Sequence, residues 1–158
     1  MFDGQKVSKS RIITSVDYSM VSMEAFEIYA ANHDIHVMDF VLKLDAYSYY
    51  MMNLLDYLIG NTDRHWGNWG FLVDNRTNQP VRLFDLMDLN QTFLAYDTPD
   101  GANCMTTGNR KMSQREAAVE AVKKIGLNQR AEIKDEWFEG REKEREMFWC
   151  RFGILKEQ

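Results

Sequence analysis

The stretch "VMDFVLKLDAYSYYMMNLLDYLIG", from Val37 to Gly60, contains the strongest helical pattern in the chain and decides the fold. Its apolar side chains recur at steps of three and four residues, which places them on one face of a helix. The members of this face are Phe40, Leu44, Tyr47, Met51, Leu54, Leu55 and Leu58. Because much of the remaining stretch is also apolar, we expect a central helix buried on several sides. Gly60 stands where a helix often ends in a left-handed residue.

A loop rich in polar side chains follows this helix. The sequence "NTDRHWGN", residues 61–68 and here called the polar loop, holds an Asp, an Arg, a His and two Asn. Beyond it, "WGFLV" (Trp69 to Val73) and "VRLF" (Val81 to Phe84) predict two short strands. The intervening "DNRTNQP" is rich in turn-forming residues. We therefore expect one small β-hairpin directly beside the polar loop.

The residues before the central helix predict one further helix. Residues 1–19 are polar and show no clear period, so we expect an irregular lead-in there. From Val21 to Ala31, "VSMEAFEIYAA" consists largely of helix-forming residues. Ser22 is suited to cap the N-terminus of this helix.

Two helical segments are predicted after the hairpin, beyond a long irregular loop, "YDTPDGANCMTTGNRK". Ser113 and Glu116 form a capping pattern ahead of "AAVEAVKKIG", so a helix should end at Gly126. A second, highly charged helical stretch over about 128–152 should be broken near Gly140. Its apolar side consists of Trp137, Phe138, Phe148 and Trp149.

Length and composition indicate a single domain over residues 1–158, mainly α with some β, an α+β fold. The formal net charge of -5 argues against direct nucleic-acid binding. No apolar stretch approaches the length of a membrane span, so we expect no membrane partner. The N-terminal "MFDGQKVSKSR" lacks the apolar core of a secretory signal, and Cys104 and Cys150 form no CxxC pattern. A reducing, cytoplasmic compartment is expected.

The polar loop has the spacing of a phosphoryl-transfer site. Asp63 and Asn68 form a D-x-x-x-x-N pattern, and in such sites a carboxylate accepts the proton of the attacking hydroxyl. Carboxylate and amide oxygens also suit Mg²⁺, which holds the phosphates of ATP. A second acidic metal ligand is expected after the hairpin, where Asp85 and Asp88 stand. The structural alternative is that Asp63 only pairs with Arg64 or binds backbone amides.

The sequence around these residues resembles a known family. "LIGNTDRHWGNWGFLVD" followed by "MDLNQTF" looks like the active-site region of the HipA-like Ser/Thr protein kinases. It is also similar to the phosphatidylinositol 3- and 4-kinases, whose motif reads D-R-H-x-x-N, with an Asp at a later strand end. The resemblance covers about residues 54–93. It implies the helical, C-terminal lobe of a protein-kinase-like fold that uses ATP and Mg²⁺ to phosphorylate a Ser or Thr of a protein.

The resemblance implies roles for the charged residues of the polar loop. Asp63 would be the catalytic aspartate that orients and deprotonates the substrate hydroxyl. His65 would contact phosphate or hold the loop, although a loop histidine bonded to a backbone carbonyl is an alternative. Arg64 could place a positive charge near the nucleotide phosphates, although a salt bridge to Asp63 or Asp56 is the plainer interpretation.

The resemblance also implies the metal ligands. Asn68 would bind Mg²⁺, together with an aspartate at the strand end. We favour Asp88, because "DLNQTF" matches the D-x-G-x-x-F pattern of these families, and Asp85 in "FDL" is the alternative. Trp66 and Trp69 could form an aromatic wall for an adenine or a peptide, or they could pack into the core under the hairpin.

One feature departs from these families, whose kinases carry an N-terminal lobe with a phosphate-binding Lys and often a glycine-containing loop. Gly4 is the sole glycine before Gly60, and no G-x-G-x-x-G precedes Asp63. We therefore expect the catalytic lobe without the nucleotide-clamping lobe, which would be supplied in cis or in trans. An antitoxin-like partner protein, as in toxin–antitoxin systems, is a further expectation. A non-catalytic protein-binding module and a lipid kinase lobe are the alternatives.

Overall fold

The computed structural model describes residues 13–93, 97–107, 111–127 and 132–158. These residues form four α-helices and a three-stranded antiparallel sheet of order β1-β2-β3. In chain order the elements are β1 (Tyr18–Ser22), α1 (Met23–Ala31), α2 (Val37–Ile59), β2 (Gly70–Asp74), β3 (Gln79–Leu83), α3 (Gln114–Ile125) and α4 (Glu142–Lys156). The prediction of a mixed fold rich in helix is confirmed, whereas the single hairpin is extended by a third strand.

Helix α2 has the predicted bounds and ends as predicted. Gly60 adopts φ 60°, and its backbone N–H donates to the carbonyls of Asp56 and Tyr57. A left-handed residue closes the helix in this way because it turns the chain back over the last carbonyls. Tyr57 is fully buried, so the helix end that carries the polar loop is fixed in the core.

The face predicted for α2 is wrong in its middle, because the helix is kinked. Asp45 has non-helical angles (φ -155°, ψ 65°). Its carboxylate accepts from the backbone N–H of Ser48 at 3.1 Å and from that of Leu83 in β3 at 3.1 Å. Because of the kink, the side chains after Asp45 do not continue the face that is formed before it. Tyr47 and Met51, predicted to be buried, are 52% and 37% exposed.

Strand β1 begins within the expected irregular lead-in, at Tyr18, and runs to Ser22, into the stretch from Val21 that was predicted to lead into a helix. Its five residues are all half-buried and show no alternation, so the sequence carries no period-two signal there. The strand forms because β2 pairs with it over its whole length, from Tyr18 opposite Asp74 to Ser22 opposite Gly70. Gly70 permits this pairing, since an added Cβ would stand 2.0 Å from the carbonyl oxygen of Val21. The predicted hairpin of β2 and β3 is confirmed.

The predicted helix caps are confirmed. Ser22 accepts from the backbone N–H of Ala25 at the start of α1. At the start of α3, Ser113 and Glu116 each bind the backbone N–H of the other, which is the reciprocal capping box. Helix α3 ends at Ile125, one residue before Gly126 as expected.

The last predicted helix is shorter and begins later. A single 3-10 turn, Asp135–Phe138, precedes α4, and Gly140 with φ 72° separates the two. Phe138 and Phe148 pack in the core, but Trp137 is 59% exposed, because it lies in this turn rather than on a helix face. The part of the prediction over 128–131 lies outside the described residues. No helix in the described ranges is long and apolar enough to cross a membrane.

Candidate active site

A buried ion pair fixes the polar loop to the end of α2. Arg64 is 3% exposed and donates through Nε to Asp56 Oδ2 at 2.8 Å and through Nη2 to Asp56 Oδ1 at 3.0 Å. Asn61 Nδ2 donates to the same Asp56 Oδ1 at 2.9 Å. Such forked, charge-assisted hydrogen bonds are strong and directional, so they define one loop conformation.

The same arginine joins the polar loop to the chain after β3. Arg64 Nη1 donates to the carbonyl of Asn68 at 2.9 Å and to that of Met87 at 2.7 Å. Two backbone oxygens that share one nitrogen must be neighbours. Residues 84–93, here called the acidic segment, therefore lie against the polar loop.

The structure gives Arg64 a positioning role. Each of its guanidinium nitrogens donates within the protein, and the ion pair is the one with Asp56 that the sequence allowed. To bind a phosphate, the guanidinium of Arg64 would have to give up hydrogen bonds to these acceptors. We therefore assign Arg64 to holding the loop and not to binding the cofactor.

Asp63 and Asn68 are brought together as the spacing predicts. Asn68 Nδ2 donates to the carbonyl of Asp63 at 2.8 Å and lies 3.4 Å from its carboxylate Oδ2. The Asp63 side chain is 40% exposed, so a substrate can reach its carboxylate. Among the described residues no hydrogen bond engages the side-chain oxygen of Asn68.

His65 stands beside this pair and turns the loop. Its Nδ1 accepts from the backbone N–H of Gly67 at 3.0 Å, so the histidine holds a backbone N–H rather than a carbonyl. Its Nε2 lies 3.8 Å from Asp63 Oδ1, which is beyond hydrogen-bonding distance. The ring is 46% exposed and can still meet a ligand at Nε2.

The acidic segment is tied at both of its ends to residues that flank the polar loop. Phe84 N–H donates to the carbonyl of Gly70 at 2.8 Å, and Phe93 N–H donates to that of Ile59 at 2.9 Å. Together with the bond to Met87, these contacts keep the segment over the end of α2. The sequence prediction that an acidic strand end follows the hairpin near the loop is consistent with this placement.

The two candidate metal-binding aspartates differ in their surroundings. Asp85 pairs with Arg82 at 2.6 Å and is 48% exposed. Asp88 is exposed, follows Met87 directly, and adopts φ 53°, a left-handed conformation that Asp tolerates better than most residues. In the described part of the chain, no three His, Cys, Asp or Glu side chains converge into a group that could hold a metal. The side chains of Asp63, Asp85 and Asp88 are thus not gathered into a closed site.

A cleft of about 310 Å³ opens between α2 and β3 next to the acidic segment. Asp85 and Arg82 line it together with Tyr47, Met51 and Trp69. Trp69 is only 4% exposed and packs in the core, so the core interpretation holds for this tryptophan.

Several residues that brace the site were missed by sequence reasoning. Gln114 at the start of α3 donates to the carbonyl of Asn61 at 2.5 Å and accepts from the N–H of Ala102 at 3.0 Å. Asn53 Oδ1 accepts from Thr106 Oγ1 at 2.5 Å. The signal that was available is local: Asn53 and Asp56 interrupt the apolar run "MMNLLDYL" and so mark buried polar partners.

Burial raises the pKa of two titrating side chains, Tyr57 and Cys104. It raises the pKa of Tyr57 to about 12, and the phenol donates to the carbonyl of Pro99 at 2.7 Å. Burial likewise raises the pKa of the Cys104 thiol, whose Sγ lies 3.1 Å from Thr106 Oγ1. A thiol with a raised pKa is a poor nucleophile, so Cys104 is a structural residue here.

The arrangement thus offers a solvent-accessible carboxylate at Asp63, an amide oxygen at Asn68, and two acids on a neighbouring segment. These groups suit proton abstraction and the binding of a hard cation. No family model, curated protein or solved structure matches the chain.

Proposed function

We propose that this chain is the catalytic lobe of a HipA-like Ser/Thr protein kinase, which transfers the γ-phosphoryl group of ATP to a hydroxyl of a protein with the help of Mg²⁺. The observation that carries the proposal is the contact between Asp63 and Asn68, held by a buried arginine that also holds the acidic segment. Phosphoryl transfer depends mainly on such positioning and on charge stabilisation.

Asp63 would accept the proton of the attacking hydroxyl, and Asn68 would bind the metal. The geometry supports this division, because the Asn68 amide nitrogen is used to hold the Asp63 carbonyl while its oxygen stays available. The β-rich, lysine-bearing lobe that the resemblance implies would hold the remainder of the nucleotide, in cis or in trans.

We assign the second metal ligand to Asp88. It follows Met87, whose carbonyl shares one guanidinium nitrogen with the carbonyl of Asn68. Asp85 is the other candidate, but it would have to leave its 2.6 Å contact with Arg82 in order to bind a cation.

The direct test is transfer of labelled phosphate from γ-labelled ATP to protein Ser or Thr, with and without Mg²⁺. Asp63→Asn should abolish Mg²⁺-dependent transfer, whereas Asp39→Asn should leave it unchanged, because Asp39 is 81% exposed near the opposite end of α2. General-base catalysis contributes about 10²–10⁴-fold, so the loss should be large. Full transfer by the Asp63→Asn protein would exclude Asp63 as the base.

A second candidate function is a kinase-like module that binds a partner protein without turnover. It is favoured by the lack of a converged group of three metal-binding side chains in the described ranges. Paramagnetic Mn²⁺ separates the two candidates, because it broadens the NMR signals of amides close to a bound ion. A kinase lobe should show broadening at Asp63, Asn68 and Asp88, and a non-catalytic module should show none at these positions.

A further inference from the structure

The backbone of Asp63 is held on both sides by amide side chains. Its N–H donates to Asn61 Oδ1 at 3.3 Å, and its carbonyl accepts from Asn68 Nδ2 at 2.8 Å. The Asp63 carboxylate extends from this backbone and is 40% exposed. A change that moves Asn61 or Asn68 therefore also moves the carboxylate.

Asn61 is completely buried and is held by three contacts. Its Nδ2 donates to Asp56 Oδ1 at 2.9 Å, and its backbone N–H donates to the carbonyl of Asp56 at 2.9 Å. Its own carbonyl accepts from Gln114 Nε2 at 2.5 Å. The first two contacts come from the adjoining end of α2, whereas the third comes from the start of α3, 53 positions away. Gln114 thus links Asn61 to a separate element of the fold.

The hydrogen-bond partners of Gln114 fix the orientation of its amide. The side chain is 5% exposed, and its Oε1 accepts from the backbone N–H of Ala102 at 3.0 Å while Nε2 donates to Asn61. A backbone N–H only donates and a carbonyl only accepts, so a reversed amide would lose both bonds. Gly101 permits the close approach, because a Cβ there would stand 2.7 Å from Gln114 Oε1. Ala102, Gln114 and Asn61 therefore form a continuous path from residues 97–107 to the polar loop.

We infer that Gln114 is a positioning residue for the proposed reaction: by holding Asn61, it sets the direction of the Asp63 carboxylate. This inference rests on the proposed function. Because Gln114 acts through Asn61, its loss should slow the transfer step and leave the binding of ATP unchanged. A displacement of about 1 Å near a reacting group can cost about 10²-fold in rate, so the effect on kcat should be measurable.

The first test is the steady-state kinetics of transfer from γ-labelled ATP by the 158-residue protein. Gln114→Glu keeps an acceptor for Ala102 but replaces the donor to Asn61 by an ionised oxygen. The kcat should fall about tenfold to hundredfold, while KM for ATP stays within about twofold. Gln114→Met removes both bonds without adding a charge and should show the same loss. Arg115→Gln is the matched control, because it breaks only the exposed pair with Asp100 in the same turn of α3 and should keep the wild-type kcat.

Lowering the pH separates a positioning role from a purely structural one. Burial raises the pKa of a carboxyl, so the group introduced by Gln114→Glu should take up a proton as the pH falls towards about 6. The protonated carboxyl has an O–H that can donate to the carbonyl of Asn61. The kcat of Gln114→Glu, relative to wild type at the same pH, should therefore rise, whereas that of Gln114→Met should not. A loss in Gln114→Glu that lower pH does not reverse would overturn the inference.

Hydrogen exchange of the Asp63 backbone amide, followed by NMR, tests the same link without any transfer. The Asp63 N–H should exchange faster in both Gln114 variants than in wild type at the same pH, because its acceptor Asn61 is no longer held. Arg115→Gln should leave the exchange rate unchanged. Circular dichroism checks that the variants are folded, and Gln114→Met decides the test by kcat and exchange if Gln114→Glu does not fold.

The exchange measurement also separates this inference from the proposed function. Wild-type kcat and wild-type exchange in both Gln114 variants, or an equal loss in Arg115→Gln, would overturn the inference even if transfer depends on Asp63. If no transfer depends on Asp63, faster exchange that lower pH reverses only in Gln114→Glu would uphold the control of Asp63 by Gln114 and reject the kinase.

Discussion

The polar loop and the acidic segment face each other across one arginine but are built in opposite ways. The polar loop is held by its side chains: Arg64 and Asn61 bind the buried carboxylate of Asp56, and Arg64 also donates to the backbone carbonyl of Asn68. In the acidic segment the backbone is held at three points, while Asp85 and Asp88 extend into solvent. The fold thus fixes Asp63 and the neighbouring amide of Asn68 in advance. Under the proposed function, the exposed carboxylates of Asp85 and Asp88 would be ordered only when a cation binds.

The largest expected effect on stability comes from replacing Arg64, which holds both regions. Arg64→Ala should lower the free energy of unfolding by about 3–5 kcal/mol, because it leaves the Asp56 carboxylate buried without a countercharge. Urea denaturation followed by circular dichroism measures the change.

Arg82→Ala is the matched control on the acidic side. Its ion pair with Asp85 is as short, at 2.6 Å, but the two side chains are 41% and 48% exposed. Water screens such a pair, so the loss should not exceed about 1 kcal/mol. Equal losses of unfolding free energy in Arg64→Ala and Arg82→Ala would show that the buried ion pair stabilises the fold no more than the exposed one.

A second prediction concerns the buried tyrosine under the polar loop. Because burial favours the neutral phenol, the folded pKa of Tyr57 is about 12, against 10 for the ordinary group. This contribution to stability is fully present below pH 10 and is lost as the pH rises from 10 through 12, at a cost of about 3 kcal/mol.

Alkaline unfolding in that window measures the effect. Tyr57→Phe keeps the ring but removes the ionising group, so its stability should fall less steeply above pH 10 than that of wild type. The hydroxyl bond to Pro99 is lost in this variant, which should cost about 1 kcal/mol at neutral pH. Identical slopes above pH 10 would show that Tyr57 does not ionise late.

The parts of this site that could be predicted from the sequence are those set by local chemistry. The end of α2 at Gly60 follows from backbone angles, and the contact of Asp63 with Asn68 is made within one short loop. The kink at Asp45 and the strand β1 were missed, because both depend on partners in β3 and β2 that no local pattern reveals. The carbonyl bonds of Arg64 were missed for the same reason, since one of them joins residues 23 positions apart.

The smallest expected effect on stability is in the acidic segment. Asp88→Asn and Asp85→Asn should each change the free energy of unfolding by less than about 0.5 kcal/mol, because both side chains are exposed. The two variants should differ in the Mg²⁺ concentration that phosphoryl transfer requires. If Asp88 is the ligand, Asp88→Asn should raise the Mg²⁺ concentration needed for half-maximal transfer about tenfold or more, since a charged ligand is lost.

Asp85→Asn serves as the control in the same titration. It releases Arg82 from its partner without removing the assigned ligand, so the Mg²⁺ requirement should stay within about twofold of wild type. The reverse pattern would move the metal to Asp85 and to the cleft that this residue lines beside Trp69. In either case the two aspartates would be distinguished by cation binding and not by stability, because the contacts that hold this segment are made by its backbone.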